Sequence, residues 1–252
     1  MKNSVLLGML LAFSVSVFGQ THRLYYSVLF KVVKGMEGHH KEMIVTDINK
    51  NTVKSYAAEY IKYDSINRNS KSGNIMFANP YYLERVSKNL NTGVTTNYGN
   101  VIGDYFSYET KDDIKWKLHQ DIKEISGYKV QKATANFEGR NWEAWFTKDL
   151  NISYGPYKFH GLPGLILEIR DENSDYIFQF LQNKVLEKEY DTSGFLEKYY
   201  IKDPLKLSLK DVHKLKMNYF LDPFREFKGG KMENYHLGKE KGEVINYSER
   251  TL

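Results

Sequence analysis

Hydrophobic positions along the chain recur mostly with period two. In residues 24–33, Leu24, Tyr26, Val28, Phe30 and Val32 alternate with Tyr25, Ser27, Leu29, Lys31 and Val33. That spacing predicts a strand with one wholly apolar face and one mixed face. Residues 142–147 alternate as cleanly: Trp142, Ala144 and Phe146 on one face, Glu143, Trp145 and Thr147 on the other. Further strands are expected over 128–137, 165–170 and 176–181, separated by the polar stretches 138–141 and 171–175. Four strands joined by polar turns make an antiparallel meander. Shorter strand pieces are read at 43–48, 75–77, 81–87, 105–109 and 115–119, and residues 89–100 read as a hairpin loop rich in Asn, Thr and Gly.

Two stretches follow the helical period instead. Val53, Tyr56, Ala57, Tyr60 and Ile61 sit at i, i+3, i+4, i+7 and i+8, which suits a helix over 53–66, although the tyrosines also allow a strand through 54–56. Ser208-Leu209-Lys210-Asp211 has the form of a helix start, and Val212, Leu215, Tyr219 and Phe220 continue it to Asp222-Pro223. The fold expected is mainly β (α+β): a strongly curved antiparallel sheet or open half-barrel with one or two flanking helices.

The N-terminus has a different character. Lys2 precedes a charge-free apolar run from Val5 to Phe18, followed by Gly19. This is the form of a signal peptide, and about 14 apolar residues are too few to span a bilayer comfortably. The organisation expected is a signal peptide at 1–19, a β-rich core domain at 20–186, a helical extension at 187–228 and a mobile polar tail at 229–252.

Composition narrows the chemistry. The 20 Tyr, 14 Phe and 3 Trp among 252 residues favour half-buried sheet positions. The net charge of +5 is spread among 31 acidic residues, with no long cationic run to suggest nucleic-acid binding. The absence of cysteine removes disulfides, thiolate catalysis, zinc fingers and the acylated cysteine of a lipoprotein.

The most distinctive stretch is Gly155-Pro156-Tyr157-Lys158-Phe159-His160-Gly161-Leu162-Pro163-Gly164-Leu165-Ile166. Pro163-Gly164 fits a type II turn, in which proline presets φ and glycine accepts a positive one. The stretch resembles the signature of the GLPGLI family, carried here by Gly161, Leu162, Pro163, Gly164, Leu165 and Ile166. Residues 125–134, Arg140 and Trp145-Phe146-Thr147 add to the resemblance. It implies an exported protein of Bacteroidetes-type bacteria with no assigned activity. Within the matched motif, Gly155, Pro156, Gly161, Leu162, Pro163 and Gly164 read as backbone-shaping positions, and Leu165 and Ile166 as buried strand positions.

No catalytic motif stands out. His39 and His40 with Glu37 and Glu42 form the densest set of metal-capable side chains, but neighbouring strand residues point to opposite faces. Neither a metal nor a cofactor is expected. GxSxG and HExxH are absent, and the glycines of the signature precede a strand where a phosphate loop needs a helix. His160 with Asp171 or Glu168 is the least weak pairing for a hydrolase. Trp142, Trp145, Tyr157, Phe159, Phe178 and Phe180 are candidates for an apolar pocket under the signature loop, against the plainer reading of core packing.

The expectation is an exported, non-catalytic protein of the periplasm or cell envelope. It would hold a lipid, another apolar ligand or a client segment, and would not span the membrane. The alternative is an interaction module for an outer-membrane receptor or secretion system.

Overall fold

The structure is a computed structural model. It describes residues 20–32, 37–71, 74–101, 104–198, 203–221, 226–228 and 231–233. The expected signal peptide therefore lies outside the described residues.

Six strands come first: β1 (Thr21–Phe30), β2 (His40–Ile48), β3 (Thr52–Ala57), β4 (Arg85–Asn89), β5 (Val94–Val101) and β6 (Asp104–Lys111). Helix α1 (Glu59–Asn69) lies between β3 and β4. Then come β7 (Lys117–Ile125), β8 (Tyr128–Phe137), β9 (Arg140–Thr147), β10 (Leu165–Asp171) and β11 (Tyr176–Leu186). A π-helical turn (Ser193–Glu197), the short β12 (Leu205–Lys206) and helix α2 (Leu209–Leu221) follow. β13 (Glu226–Lys228) and β14 (Lys231–Glu233) form a separate hairpin.

The first twelve strands make one sheet, in the order β12-β6-β5-β4-β3-β2-β1-β11-β10-β9-β8-β7. Two antiparallel meanders are sewn together where β11 pairs with β1 over the whole of both strands' register, Thr21 opposite Leu186 to Phe30 opposite Tyr176. Only β12 runs parallel to its neighbour, β6. The mainly β, antiparallel reading is thus observed. The sheet is open, with β7 and β12 at its edges.

Alternation decides which face each strand buries. Trp142, Ala144 and Phe146 of β9 join Leu24, Tyr26, Val28 and Phe30 of β1 in the main core. Two hairpins are closed by two-residue turns with positive φ at both positions, Ser126-Gly127 and Glu138-Gly139. This type I′ geometry matches the right-handed twist of the strands it joins. A second, smaller core lies where Tyr56 and Tyr60 pack with Phe195 and Leu196 of the π-turn. Charge is buried beside it: Arg23 grips Asp47 with two bonds of 2.6 Å, and Tyr56 donates to the same carboxylate.

The sequence expectations fail in identifiable places. The stripe at Val53, Tyr56 and Ala57 belongs to β3, and the helix starts only at Glu59. Tyr56 and Ala57 are buried by the π-turn and α1, so tertiary packing and not a helical face explains their apolarity. Residues 94–100 form β5 where a loop was expected; the strand piece expected at 75–77 has no regular structure, and the one expected at 81–87 begins only at Arg85, as β4. Part of the expected mobile tail forms β14; residues 234–252 lie outside the described residues. Among the described residues no helix is long and apolar enough to cross a membrane.

Candidate functional site

The signature lies in the irregular segment 148–164, between β9 and β10, and it folds back on itself. Tyr154 bridges His160, Gly155 N–H donates to the Phe159 carbonyl at 2.9 Å, and Gly161 N–H donates to the Ser153 carbonyl at 3.0 Å. At the tip, Phe159 N–H donates to the Pro156 carbonyl, and Tyr157 takes a positive φ of 54°. The Tyr157 N–H is held from outside the loop by Ser55 Oγ of β3.

The turn at Pro163 is tighter than the type II turn expected. Gly164 N–H donates to the Leu162 carbonyl, two residues back, at 2.8 Å. That is a γ-turn centred on Pro163, whose ring fixes the φ such a turn needs. Gly164 is required for a second reason. A Cβ there would stand 1.9 Å from the Thr147 carbonyl oxygen, and its φ is +149°. Gly155 is similarly crowded, by the Ile166 side chain at 2.8 Å. Leu162, Leu165 and Ile166 are fully buried in the main core.

The loop drives Phe159 into the inner face of the sheet. Its ring lies 4.6 Å from Trp142, 5.9 Å from Phe137 and 6.2 Å from both Tyr157 and Phe178. Four of the six candidate pocket residues, Trp142, Tyr157, Phe159 and Phe178, thus pack on one another and are buried. The other two lie outside this ring group, although Trp145 is also buried in the main core. Trp145 points to the opposite face, under the Lys123 ammonium at 4.2 Å. Phe180 is partly buried, edge-on to Tyr26 at 5.6 Å.

A polar cluster fastens the loop beside this aromatic group. Lys158 Nζ is buried 2.6 Å from Glu138 Oε1 and 3.6 Å from Asp112 Oδ1. Glu138 is the first residue of the β8–β9 turn, so the strained hairpin position aims the carboxylate at the loop. The same carboxylate accepts from the Tyr157 hydroxyl at 3.2 Å. His160 Nδ1 donates to the Lys158 carbonyl at 2.7 Å, which leaves Nε2 as acceptor for Lys88 Nζ of β4 at 2.8 Å. Burial, with the Lys88 charge added, lowers the His160 pKa from its ordinary value; burial also lowers that of Lys88. The His160 shift suits a neutral imidazole that accepts a hydrogen bond from Lys88. A cavity of only about 10 Å³ remains among Val86, Lys88, Thr95, Tyr154 and the loop.

The pairing of His160 with Asp171 or Glu168 is not formed. Asp171 is buried against Arg140 and accepts from Tyr176 N–H, and Glu168 pairs with Lys123 at 3.1 Å. Cations from β9 and β7 claim both carboxylates. His39 and Glu42 are likewise engaged elsewhere: His39 Nε2 donates to the Ser174 carbonyl, and Glu42 accepts from backbone N–H groups. Sequence reasoning missed Lys88, Asp112 and Glu138. Lys88 is 72 residues from His160, and only the strand order of the sheet brings them together.

The chain is similar in fold to PNGF-II, solved in two space groups. One comparison gives 16% identity and a TM-score of 0.54 over 78% of this chain and 32% of that one. The other gives 16% identity and 0.52 over 78% and 33%. This chain therefore spans about a third of the length of those solved chains, and the likeness is one of fold alone. No curated protein sequence matches it significantly. Residues 137–168, which run from the end of β8 through the signature loop into β10, match a family model described as "Protein of unknown function (Porph_ging)".

Proposed function

We propose that this is an exported, non-catalytic cell-envelope protein of the GLPGLI type. It binds an extended segment of a client or envelope partner at the free edge of its sheet. The observation that carries this reading is β7. It is a nine-residue strand at the sheet edge with Leu118 and Ile122 about half exposed. On either side of an irregularity between Leu118 and Ile122, this edge offers N–H and C=O groups to an added strand, and the two exposed apolar side chains give that strand contacts. The signature loop fits a structural role in this reading. It fills the inner face, which we take as the concave side of a curved sheet, and so stiffens the frame that presents β7.

A photo-crosslinker at Gln120, an exposed β7 position, tests the reading in intact envelopes. A discrete protein adduct is expected, lost when Leu118→Lys and Ile122→Lys place charges on the edge. An intact protein that yields no adduct from β7 overturns it.

A second reading, carriage of an apolar ligand, is favoured by one feature. Tyr157 holds a left-handed φ between Gly155 and Gly161, so the loop stores strain that its departure would release. Phe159 would then occupy the place of the ligand. Mass spectrometry of an organic extract of the native protein separates the readings: near-stoichiometric lipid supports carriage, and an empty extract removes it.

A further inference from the structure

Residues 74–84 form a second irregular segment, and its backbone is fastened by side chains. Met76 N–H donates to Asn67 Oδ1, and the Met76 carbonyl accepts from Asn67 Nδ2, both at 2.8 Å. Asn79 N–H donates to Glu59 Oε1 at 3.3 Å. Tyr81 and Tyr82 N–H donate to the two oxygens of Glu42 at 2.6 and 3.1 Å. Ala78 and Tyr82 turn inward, and the Tyr82 ring packs against Phe30 and Phe178. The remaining large side chains turn outward. Ile75 is 43% exposed, Met76 48%, Phe77 57% and Tyr81 63%. Ile66 of α1, one residue before the Asn67 that holds Met76, is also exposed.

Holding apolar side chains in water on a fixed backbone is costly unless something covers them. We propose that this segment docks the protein on a lipid surface. Ile75, Met76 and Phe77 enter the acyl boundary, and Tyr81 sits at headgroup depth. Two observations favour lipid over a protein strand. First, the N–H groups of Met76, Asn79, Tyr81 and Tyr82 are already bonded within the molecule. A segment entering hydrocarbon needs that satisfaction, whereas a strand-adding partner needs those groups free. Second, exposed cations that can meet anionic headgroups flank the segment, while the carboxylates of Glu42 and Glu59 are turned to its backbone N–H groups. Lys62 is exposed one helical turn before Ile66 on the same face of α1, Lys71 is exposed just before the segment, and the whole chain carries +5. This surface is separate from the β7 edge.

Vesicle flotation of the mature chain tests the proposal, using phosphatidylcholine alone and phosphatidylcholine with about a quarter phosphatidylglycerol. The wild type is expected to float with the anionic vesicles and more weakly with the neutral ones. Met76→Ser with Phe77→Ser should lower the bound fraction about tenfold or more. Val185→Ser, an equally exposed apolar site at the far end of β11, should leave it unchanged. Thermal melts confirm that each variant is folded, and Ile75→Ser provides a second, independent loss of apolar contact. Wild-type protein that stays unbound with both vesicle types overturns the proposal, as does equal flotation of the double variant. Flotation only with vesicles that carry envelope proteins also overturns it, and assigns the segment to a protein partner instead.

Discussion

Two irregular segments lie on this sheet, and they use their apolar side chains in opposite ways. The signature loop, residues 148–164, turns Phe159 and Leu162 into the main core. The segment 74–84 turns Ile75, Met76, Phe77 and Tyr81 outward. Both are anchored by side chains from the surrounding elements and turns: Glu138, Lys88 and Ser55 for the first, Asn67, Glu59 and Glu42 for the second. The difference separates two meanings of order. Order around a buried aromatic cluster stabilises the fold. Order around an exposed one adds little stability and fixes a surface in advance of binding. The recognisable motif therefore packs into the architecture, and the surfaces proposed for partners lie where no motif marks them.

The comparison breaks most sharply at Gly164. Gly164→Val forces a Cβ to within 1.9 Å of a backbone oxygen that cannot move without shifting β9. A loss of more than about 4 kcal/mol, or failure to recover folded protein, is expected. A melting temperature equal to wild type would show that the loop is not packed as described. Phe159→Ala comes next. It empties the centre of the ring cluster, and a loss of about 3–5 kcal/mol in denaturant unfolding is expected. A loss below about 1 kcal/mol would mean that the loop contributes little to the core and can leave it.

Lys158→Met leaves Glu138 and Asp112 without their cation. Removing one partner of a buried pair costs about 3 kcal/mol where the remaining charge stays dry, and less here because Glu138 keeps some exposure. Adding Glu138→Gln should recover part of the loss; strict additivity of the two would show that they do not interact.

The pH response is smaller. Burial lowers the His160 pKa below its ordinary 6.5, aided by Lys88, while the Lys158 carbonyl and the charges of Asp112 and Asp113 oppose the shift. The unfolded chain thus takes up its proton first. This contribution is complete above pH 6.5 and shrinks as pH falls towards the folded value. His160→Gln should flatten the melting temperature between about pH 7 and 5; parallel curves for the two proteins would refute it. In stronger acid, Glu143 adds a separate loss. Burial works to raise its pKa, but bonds from Lys132, Trp145 and Arg170 hold it at about 2. Stability from that group is present above 4.5 and is lost as pH falls towards 2. Smallest of all is Phe77→Ser, expected within about 0.5 kcal/mol of wild type. A large loss there would mean that Phe77 belongs to the fold and not to a binding surface.

Much of the fold is legible in the chain. Strands β1 and β9 follow from alternation, β10 from its continuous apolar run, β8 and β11 from the polar turns that bound them, and Glu138-Gly139 marks its own hairpin. Ser208 is legible as the cap of α2 and accepts from Asp211 N–H. Legibility fails where a residue's setting depends on distant partners. Tyr56 and Tyr60 share a helical spacing, yet one lies on β3 and the other on α1. The pieces at 75–77 and 81–84 read as strand because a short apolar run looks the same whether the sheet or solvent meets it.

Local order is what the sequence by itself determined: the period of the strands, the turn residues, the capping hydroxyl and the need for glycine in the signature. These depend on φ, on side-chain alternation and on bonds between near neighbours. The tertiary structure alone decided that β11 returns to β1, that Phe159 meets Trp142, and that Lys88 reaches His160. It also decided that Asp171 and Glu168 serve Arg140 and Lys123 rather than the histidine. Each of these is a contact between residues far apart in the chain, chosen by strand order and by which charges find partners on burial. No local pattern carries that information, because the same side chain is core, anchor or binding surface according to what the rest of the sheet places over it.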